Sequence, residues 1–279
     1  MATTNQQRVR FLLLLLAVLL SPCNAARADE DATIILLIGH ARDGHAYQTH
    51  EYMTECGLLA KCLEQTSKVV TRVSQGWPED PAVLRGVDAL VLYQPYGGNL
   101  LFDGSQRATA HAMLKDGVGL SAVHWSTGAT GEEPMRLYLE HLGGLFSREF
   151  STLEHIELEL RRAAPEHPVS RGWETMPLFD EYYLDCRVLP EVVRVAEVEH
   201  NGRTHPIGWV YERPGQDGGR SFGLVAGHYH DNFKLEAFRR LIVNGILWTA
   251  HRDIPEGGAP CAATDADLEL PPPPGRDAD

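Results

Sequence analysis

Apolar residues fall along this chain in two regimes. In the first half they come as short runs, "TIILLIGH" (33–40), "KVVTRVS" (68–74), "VDALVLYQ" (87–94) and "VGLSAVH" (118–124). Runs of this kind suit strands buried on both faces, as in a parallel sheet. Between them the period changes: "HEYMTECGLLAKCLEQ" sets Met53, Cys56, Leu59 or Ala60 and Leu63 at helical spacing. "GSQRATAHAMLKDG", ending at Gly117, and "EEPMRLYLEHLGG" read as further helices. Strand and helix in alternation predict βαβ units with right-handed crossovers.

From about Phe146 the pattern alternates instead. "TLEHIELEL", "EVVRVAEVE", "HPIGWVYE" and "SFGLVAGH" read as antiparallel or mixed strands that extend or cover the sheet, with the Gly-rich turn "RPGQDGGR" between the last two. "LEAFRRLIVNGILWTAH" has an apolar helical face that should pack back on the sheet. The whole predicts an α/β fold: a mainly parallel sheet with helices on both faces and additional strands in the C-terminal half.

Three segments follow from composition. Arg8 and Arg10 precede the apolar run Phe11–Leu20, and Ala26-Arg27-Ala28 supplies a small-x-small cleavage site, so 1–28 reads as a secretory signal peptide. Ten apolar residues make a helix of about 15 Å, half a bilayer core, so no stable membrane span is expected. Residues 29–259 form one α/β domain, and 260–279, Pro- and Asp-rich, read as a disordered tail. Cleavage near Ala28 predicts a secreted or periplasmic protein and takes the counted charge from −13 to −16. So acidic a chain is a poor partner for nucleic acid or anionic membrane. Cys56, Cys62, Cys186 and Cys261 would then meet a disulfide-permitting compartment, with no pairing fixed by sequence; Cys56 and Cys62, six apart on one helix, face different sides.

Three apolar strands end in histidine: His40, His124 and His228. In an open parallel sheet, ligands collect outside the carboxyl ends of the strands, so three parallel strands would bring these imidazoles to one rim. The sequence beyond each end is also rich in polar groups, with His45, His50 and Glu51 after the first and His230 and Asp231 after the last. Several histidines and a carboxylate on one rim are the composition of a metal or acid–base site. A strand-end histidine taken alone is ordinarily a satisfied residue bonded to a loop carbonyl. In "FDEYYLD", Asp180 and Glu181 point opposite ways on an extended segment; Glu181 is the expected inward carboxylate, with Tyr183 on its side, against an exposed acidic pair as the bland reading. "EHPVSRGW" reads as a structural turn at His167-Pro168 over Trp173.

Competing chemistries lack their signatures. There is no GxSxG elbow, and Ser126 is not marked as a nucleophile. No GxGxxG or GxxxxGK occurs, so no nucleotide cofactor is expected.

In order along the chain, "GHAYQTHEYMTECGLLAKCL", "GVGLSAVHWSTG", "HPVSRGW", "FDEYYLD", "HPIGWVYE…GGRSFGLVAGHYHDNF" and "FRRLIVNGILWTA" resemble the ThuA-like, trehalose-utilisation family over roughly residues 33–255. The resemblance implies a class I glutamine amidotransferase-like, flavodoxin-like α/β fold. It also implies a histidine, His124, at the corner where amidotransferases carry a nucleophilic cysteine. Mapped residue by residue it points to His45, His50, Glu51, His124, Glu181, Tyr183, His228 and His230, preferring His45 where the strand-end argument prefers His40. Unlike related secreted members, "HWSTGAT" has no carboxylate just after the corner.

The family's association with disaccharides and oxidised sugars implies an enzyme acting on a small glycoside or keto-sugar, by hydrolysis, elimination or isomerisation. His124, Glu181 and His228 are the expected catalytic centre, as ligands of Zn²⁺ or another divalent ion or as acid–base groups. His45, His50, Glu51, Trp125, Tyr183 and His230 are expected to bind substrate. Tyr47, Trp125, Tyr183, Trp209 and Tyr229 are aromatics that stack on a sugar or, for Trp125 and Trp209, sit in the core. The alternative is a non-catalytic sugar-binding module on the same fold.

Overall fold

The computed structural model describes residues 32–215 and 217–273. The leader assigned to 1–28 lies outside them. Each apolar run of the first half is a strand: β1 (Thr33–Gly39), then helix α1 (Tyr52–Leu63), β2 (Val69–Gln75), β3 (Val87–Leu92), helices α2 (Gly97–Phe102) and α3 (Arg107–Lys115), β4 (Gly119–Val123) and helix α4 (Glu132–Leu142). The second half adds β5 (Gly144–Leu145), β6 (Thr152–Arg162), β7 (Met176–Leu184), β8 (Arg187–Val188), β9 (Val193–His200), β10 (Arg203–Glu212), β11 (Arg220–Leu224), α5 (His230–Phe233) and α6 (Glu236–Thr249).

Nine strands form one sheet in the order β2-β1-β3-β4-β11-β10-β9-β6-β7. β2, β1, β3, β4 and β11 are mutually parallel, and from β10 onward every neighbour is antiparallel. With β11 in the fifth place, the parallel half has the flavodoxin-like order 2-1-3-4-5. The strand order reverses between β1 and β3, which places the expected ligand crevice outside their carboxyl ends. β4 is buried along its whole length and β1 nearly so, which explains their unbroken apolar sequence. β6 meets solvent at every second or third position, and its sequence alternates accordingly.

Helix α1 packs on β1 and β2 beside α6, which lies over β3, β4 and β11; α2, α3 and α4 form a second group. Trp209 is core: it is fully buried, its Nε1 donates to Leu142 O at 3.0 Å, and a Cβ on either Gly144 or Gly223 would come within 2.4 Å of its ring. All four described cysteines are buried and free. Among the described residues no helix is long and apolar enough to cross a membrane.

The expected disordered tail is corrected in part. Residues 260–273 lie on the domain, with Cys261 buried and the Ala262 backbone paired through both N–H and C=O to the Gln65 amide at 3.0 and 2.7 Å. Thr264 and Asp267 close a capping box around one short turn, and Lys61 pairs with Asp267. The Pro- and Asp-rich composition understates this segment because one apolar anchor and a run of specific backbone bonds suffice to hold it.

Candidate functional site

β1, β4 and β11 deliver their loops to one edge of the sheet, and the site is built there. His124 follows β4 directly with φ of 54°, and His50, ahead of α1, has φ of 52°. Left-handed backbone at a bulky non-glycine residue costs about 1–3 kcal/mol and persists only where surrounding structure enforces it.

The enforcing contacts also fix which ring nitrogens carry protons. His124 Nδ1 lies 2.8 Å from Val225 O, and a carbonyl can only accept, so Nδ1 holds a hydrogen and, in the neutral ring, Nε2 presents a lone pair. His50 Nδ1 lies 3.3 Å from Asp43 Oδ2 and 3.0 Å from the Tyr52 hydroxyl, which itself donates to that carboxylate oxygen at 2.7 Å. His50 Nδ1 is therefore the protonated nitrogen, and its Nε2 is bare. The two bare Nε2 atoms face each other at 3.0 Å.

Around His124 Nε2 stand His228 Nδ1 at 3.3 Å, Glu181 Oε2 at 3.3 Å and the Tyr183 hydroxyl at 3.0 Å. His50, His124, Glu181 and His228, all buried, each contribute one donor atom, and these four atoms lie within 4.8 Å of one another. Burial pushes His50 down to about 2, and the neighbouring His124 and His228 add to the shift. Burial likewise lowers His228. Burial would raise Glu181, but the neighbouring His124 and His228 outweigh that and hold it well below the usual carboxylate range. Burial would also raise Asp43, yet the Tyr52 and His45 bonds bring it to about 2. Neutral His50 and His228 beside anionic carboxylates are protonation states that a cation site requires.

Asp180, absent from the expected site, supports the centre from beneath. It is fully buried, and its carboxylate accepts from the N–H groups of Gly227 (2.6 Å), His228 (2.9 Å) and Glu181 (2.8 Å) and from Asn232 Nδ2 (2.9 Å). It thus ties β7 to the loop that carries His228. The exposed acidic pair is excluded: Asp180 faces the interior and Glu181 the cluster.

The mouth is formed by His45, whose Nδ1 donates to Asp43 Oδ1 at 2.7 Å and whose ring centre lies 4.0 Å from that of His50, and by Trp125, 5.6 Å from His45. Trp125 Nε1 is buried without a hydrogen-bond partner. The hollow between His45, His50, Trp125, Arg148, Glu181 and Tyr183 holds about 20 Å³, room for one water-sized sphere.

Three expected site residues stand elsewhere. His230 turns inward, pairing Nδ1 with Glu55 and donating from Nε2 to Leu268 O at 2.8 Å. It opens α5, which points its ring away from the loop bearing His228. Glu51 accepts from Gln48 N at 3.1 Å and pairs with Arg42, so it shapes the first loop. His40 bonds its neighbour's carbonyl, Ala41 O, and packs on Tyr52, so His45 is the first-loop histidine at the cluster. The structure adds His155, on the exposed face of β6 directly opposite Glu181 in the β6/β7 register, with Nε2 3.4 Å from Glu181 Oε1. The signal for it lay in "TLEHIELEL", where it reads as one more polar position on an alternating strand.

Fold and site together define a flavodoxin-like α/β protein with a His₃–carboxylate cluster at the switch point of its parallel sheet. The family model ThuA, described as trehalose utilisation, matches residues 38–249. The chain belongs to this family. Its fold is similar to that of a ThuA-like protein from Bacteroides uniformis (16% identity, TM-score 0.60) and one from Parabacteroides merdae (13% identity, TM-score 0.61), each match covering 86% of this chain and 99% of the other. A cytoplasmic protein from Salmonella typhimurium matches at 17% identity and TM-score 0.54, covering 78% of this chain and 99% of its own. Comparison with curated proteins gives no match.

Proposed function

We propose that the protein is an exported, divalent-cation-dependent enzyme acting on a small glycoside or keto-sugar. The observation that carries the reading is the pair of facing lone pairs on His50 Nε2 and His124 Nε2. Each tautomer is fixed from behind by an acceptor, so no proton bridges the 3.0 Å gap, and the carboxylate of Glu181 adds negative charge beside it. A cation held by His50, His124, Glu181 and His228 turns this repulsion into attraction. Nitrogen and carboxylate donors of this kind suit Zn²⁺ or a similar transition metal. When bound, such an ion polarises a carbonyl or hydroxyl and lowers the pKa of water.

The remaining residues supply the rest of a sugar site. His45, backed by Asp43, holds a positioned imidazole at the mouth, as His155 does beside Glu181. A hollow of about 20 Å³ admits no sugar ring, so the ring lies across the mouth on Trp125. Family membership supports the carbohydrate setting.

Elemental analysis of the purified protein after incubation with zinc tests the reading. One equivalent should be retained by wild type and lost in His50→Ala and His124→Ala. Stoichiometry that stays below a tenth of an equivalent in wild type, or is unchanged in both variants, would overturn it. Product analysis against glycosides and their 3-keto derivatives then separates turnover from binding alone.

A further inference from the structure

A second hollow lies apart from the histidine cluster. It holds about 460 Å³ and is lined by Trp77, Glu79, Leu84, Ser105, Gln106 and Thr109 among others. That volume is within the range of small-molecule sites, whereas the cluster has space for one water. Its walls are the segment that follows β2 and the start of α3. The first leaves the sheet at its carboxyl edge, where Gly76 N donates to Gly39 O at 2.9 Å, so hollow and cluster open toward one side of the fold.

The wall is braced before any ligand arrives. Arg72 Nη1 donates to Val83 O at 2.6 Å and to Arg85 O at 2.8 Å, Asp80 Oδ1 caps the following turn by accepting from Ala82 N at 2.8 Å, and Ser74 Oγ donates to Gly76 O at 2.9 Å. Trp77 is half-buried against the core, which holds its indole as a fixed plate. Gln106 donates through Nε2 to Leu100 O, which leaves its Oε1 without a donor.

The polar groups of the lining are unspent. Trp77 Nε1, the Glu79 carboxylate and the Ser105 and Thr109 hydroxyls have no hydrogen-bond partner among the described residues. An aromatic plate with apolar neighbours faces donors and acceptors of both kinds, without a basic group in the lining. That excludes phosphate and acidic ligands and matches a pyranose, which has one apolar C–H face and a rim of hydroxyls.

We infer that this hollow is a saccharide-binding site, separate from the histidine cluster, with Trp77 as its stacking platform. Rigid walls mean that little ordering opposes binding, and millimolar affinity is the scale expected for one sugar ring. The site stands whether or not the cluster binds a metal.

Titration of uniformly ¹⁵N-labelled full-length protein against glucose, trehalose and cellobiose tests it by NMR. The Trp77 indole N–H signal, assigned by its loss in Trp77→Ala, should shift saturably at about 1–10 mM sugar. Trp77→Ala should weaken binding, read on the Gln106 side-chain amide, by roughly tenfold or more, and Trp77→Phe should restore part of it. His124→Ala should leave this binding unchanged, which separates the site from the cluster. The inference is overturned by the absence of a saturable shift with all three sugars, by binding that Trp77→Ala leaves intact, or by saturation with a proline-rich peptide in place of sugar.

Discussion

Asp43 shows how far one side chain outside the cluster can set its chemistry. Its carboxylate accepts from Tyr52 and His45 and faces His50 Nδ1, so it determines which nitrogen of His50 looks into the centre. An amide in its place offers one acceptor and one donor, and a donor opposite His50 Nδ1 selects the other tautomer, which aims N–H at His124 Nε2. Asp43→Asn should therefore weaken zinc binding about 10–100-fold, the usual scale for losing a partner behind a metal-ligating histidine. The far-ultraviolet circular dichroism should be unchanged. Competition with a chelator of known affinity measures this, and an unaltered zinc affinity would show that His50 needs no such orientation. The strand-end pattern of the sequence led to His124 and His228 because both chain position and edge follow from a parallel sheet. It passed over Asp43, whose importance depends on Tyr52 and His50 meeting in space.

At the scale of elements, the turn before Trp173 joins β6 to β7 and carries its own pH dependence. His167 caps the short turn Pro168–Ser170, its ring accepting from Val169 N at 3.2 Å, while Trp173 Nε1 donates to Val169 O at 3.0 Å. Burial, helped by the nearby Arg220, holds His167 below its ordinary 6.5. The unfolded chain therefore binds this proton more readily than the folded one. The contribution is fully present above pH 6.5 and is lost as pH falls below it. His167→Asn keeps a capping acceptor and removes the titration, so its stability should fall less than that of wild type between pH 7 and pH 5. Urea midpoints at the two pH values decide it, and parallel losses in both proteins would remove His167 as the cause. The same region shows what a sequence withholds. Strands and helices were legible from periodicity almost throughout, since burial on two faces, one face or none writes itself into composition. His155 was not, because its place beside Glu181 depends on the β6/β7 register, which pairs residue 155 with residue 181 across the hairpin.

For the whole molecule, the segment after α6 is a clasp across elements that are otherwise far apart in the chain. Cys261 O accepts from Arg239 Nε of α6 at 3.2 Å, Gln65 at the end of α1 pairs with Ala262, Leu268 O receives His230, and Pro271 O accepts from Tyr47 in the loop bearing His45. The family match ends at residue 249, so this clasp lies beyond the part the family model matches. Its removal strips an acceptor, Leu268 O, from the buried Glu55–His230 pair, where burial already pushes Glu55 up to about 7, and exposes the apolar seat of Cys261. A chain ending at residue 259 should lose roughly 2–4 kcal/mol, from one buried side chain and several backbone bonds. The loss should also be uneven. Amide exchange should accelerate most in residues 41–50, which keep their tie to the His228 loop through His50 N and His228 O at 3.0 Å but lose the one at Tyr47. The strands β3 and β4 should keep wild-type protection until global unfolding. Hydrogen exchange followed by mass spectrometry resolves the two regions, and uniform acceleration across the sheet would mean that the segment stabilises the domain without bracing the site.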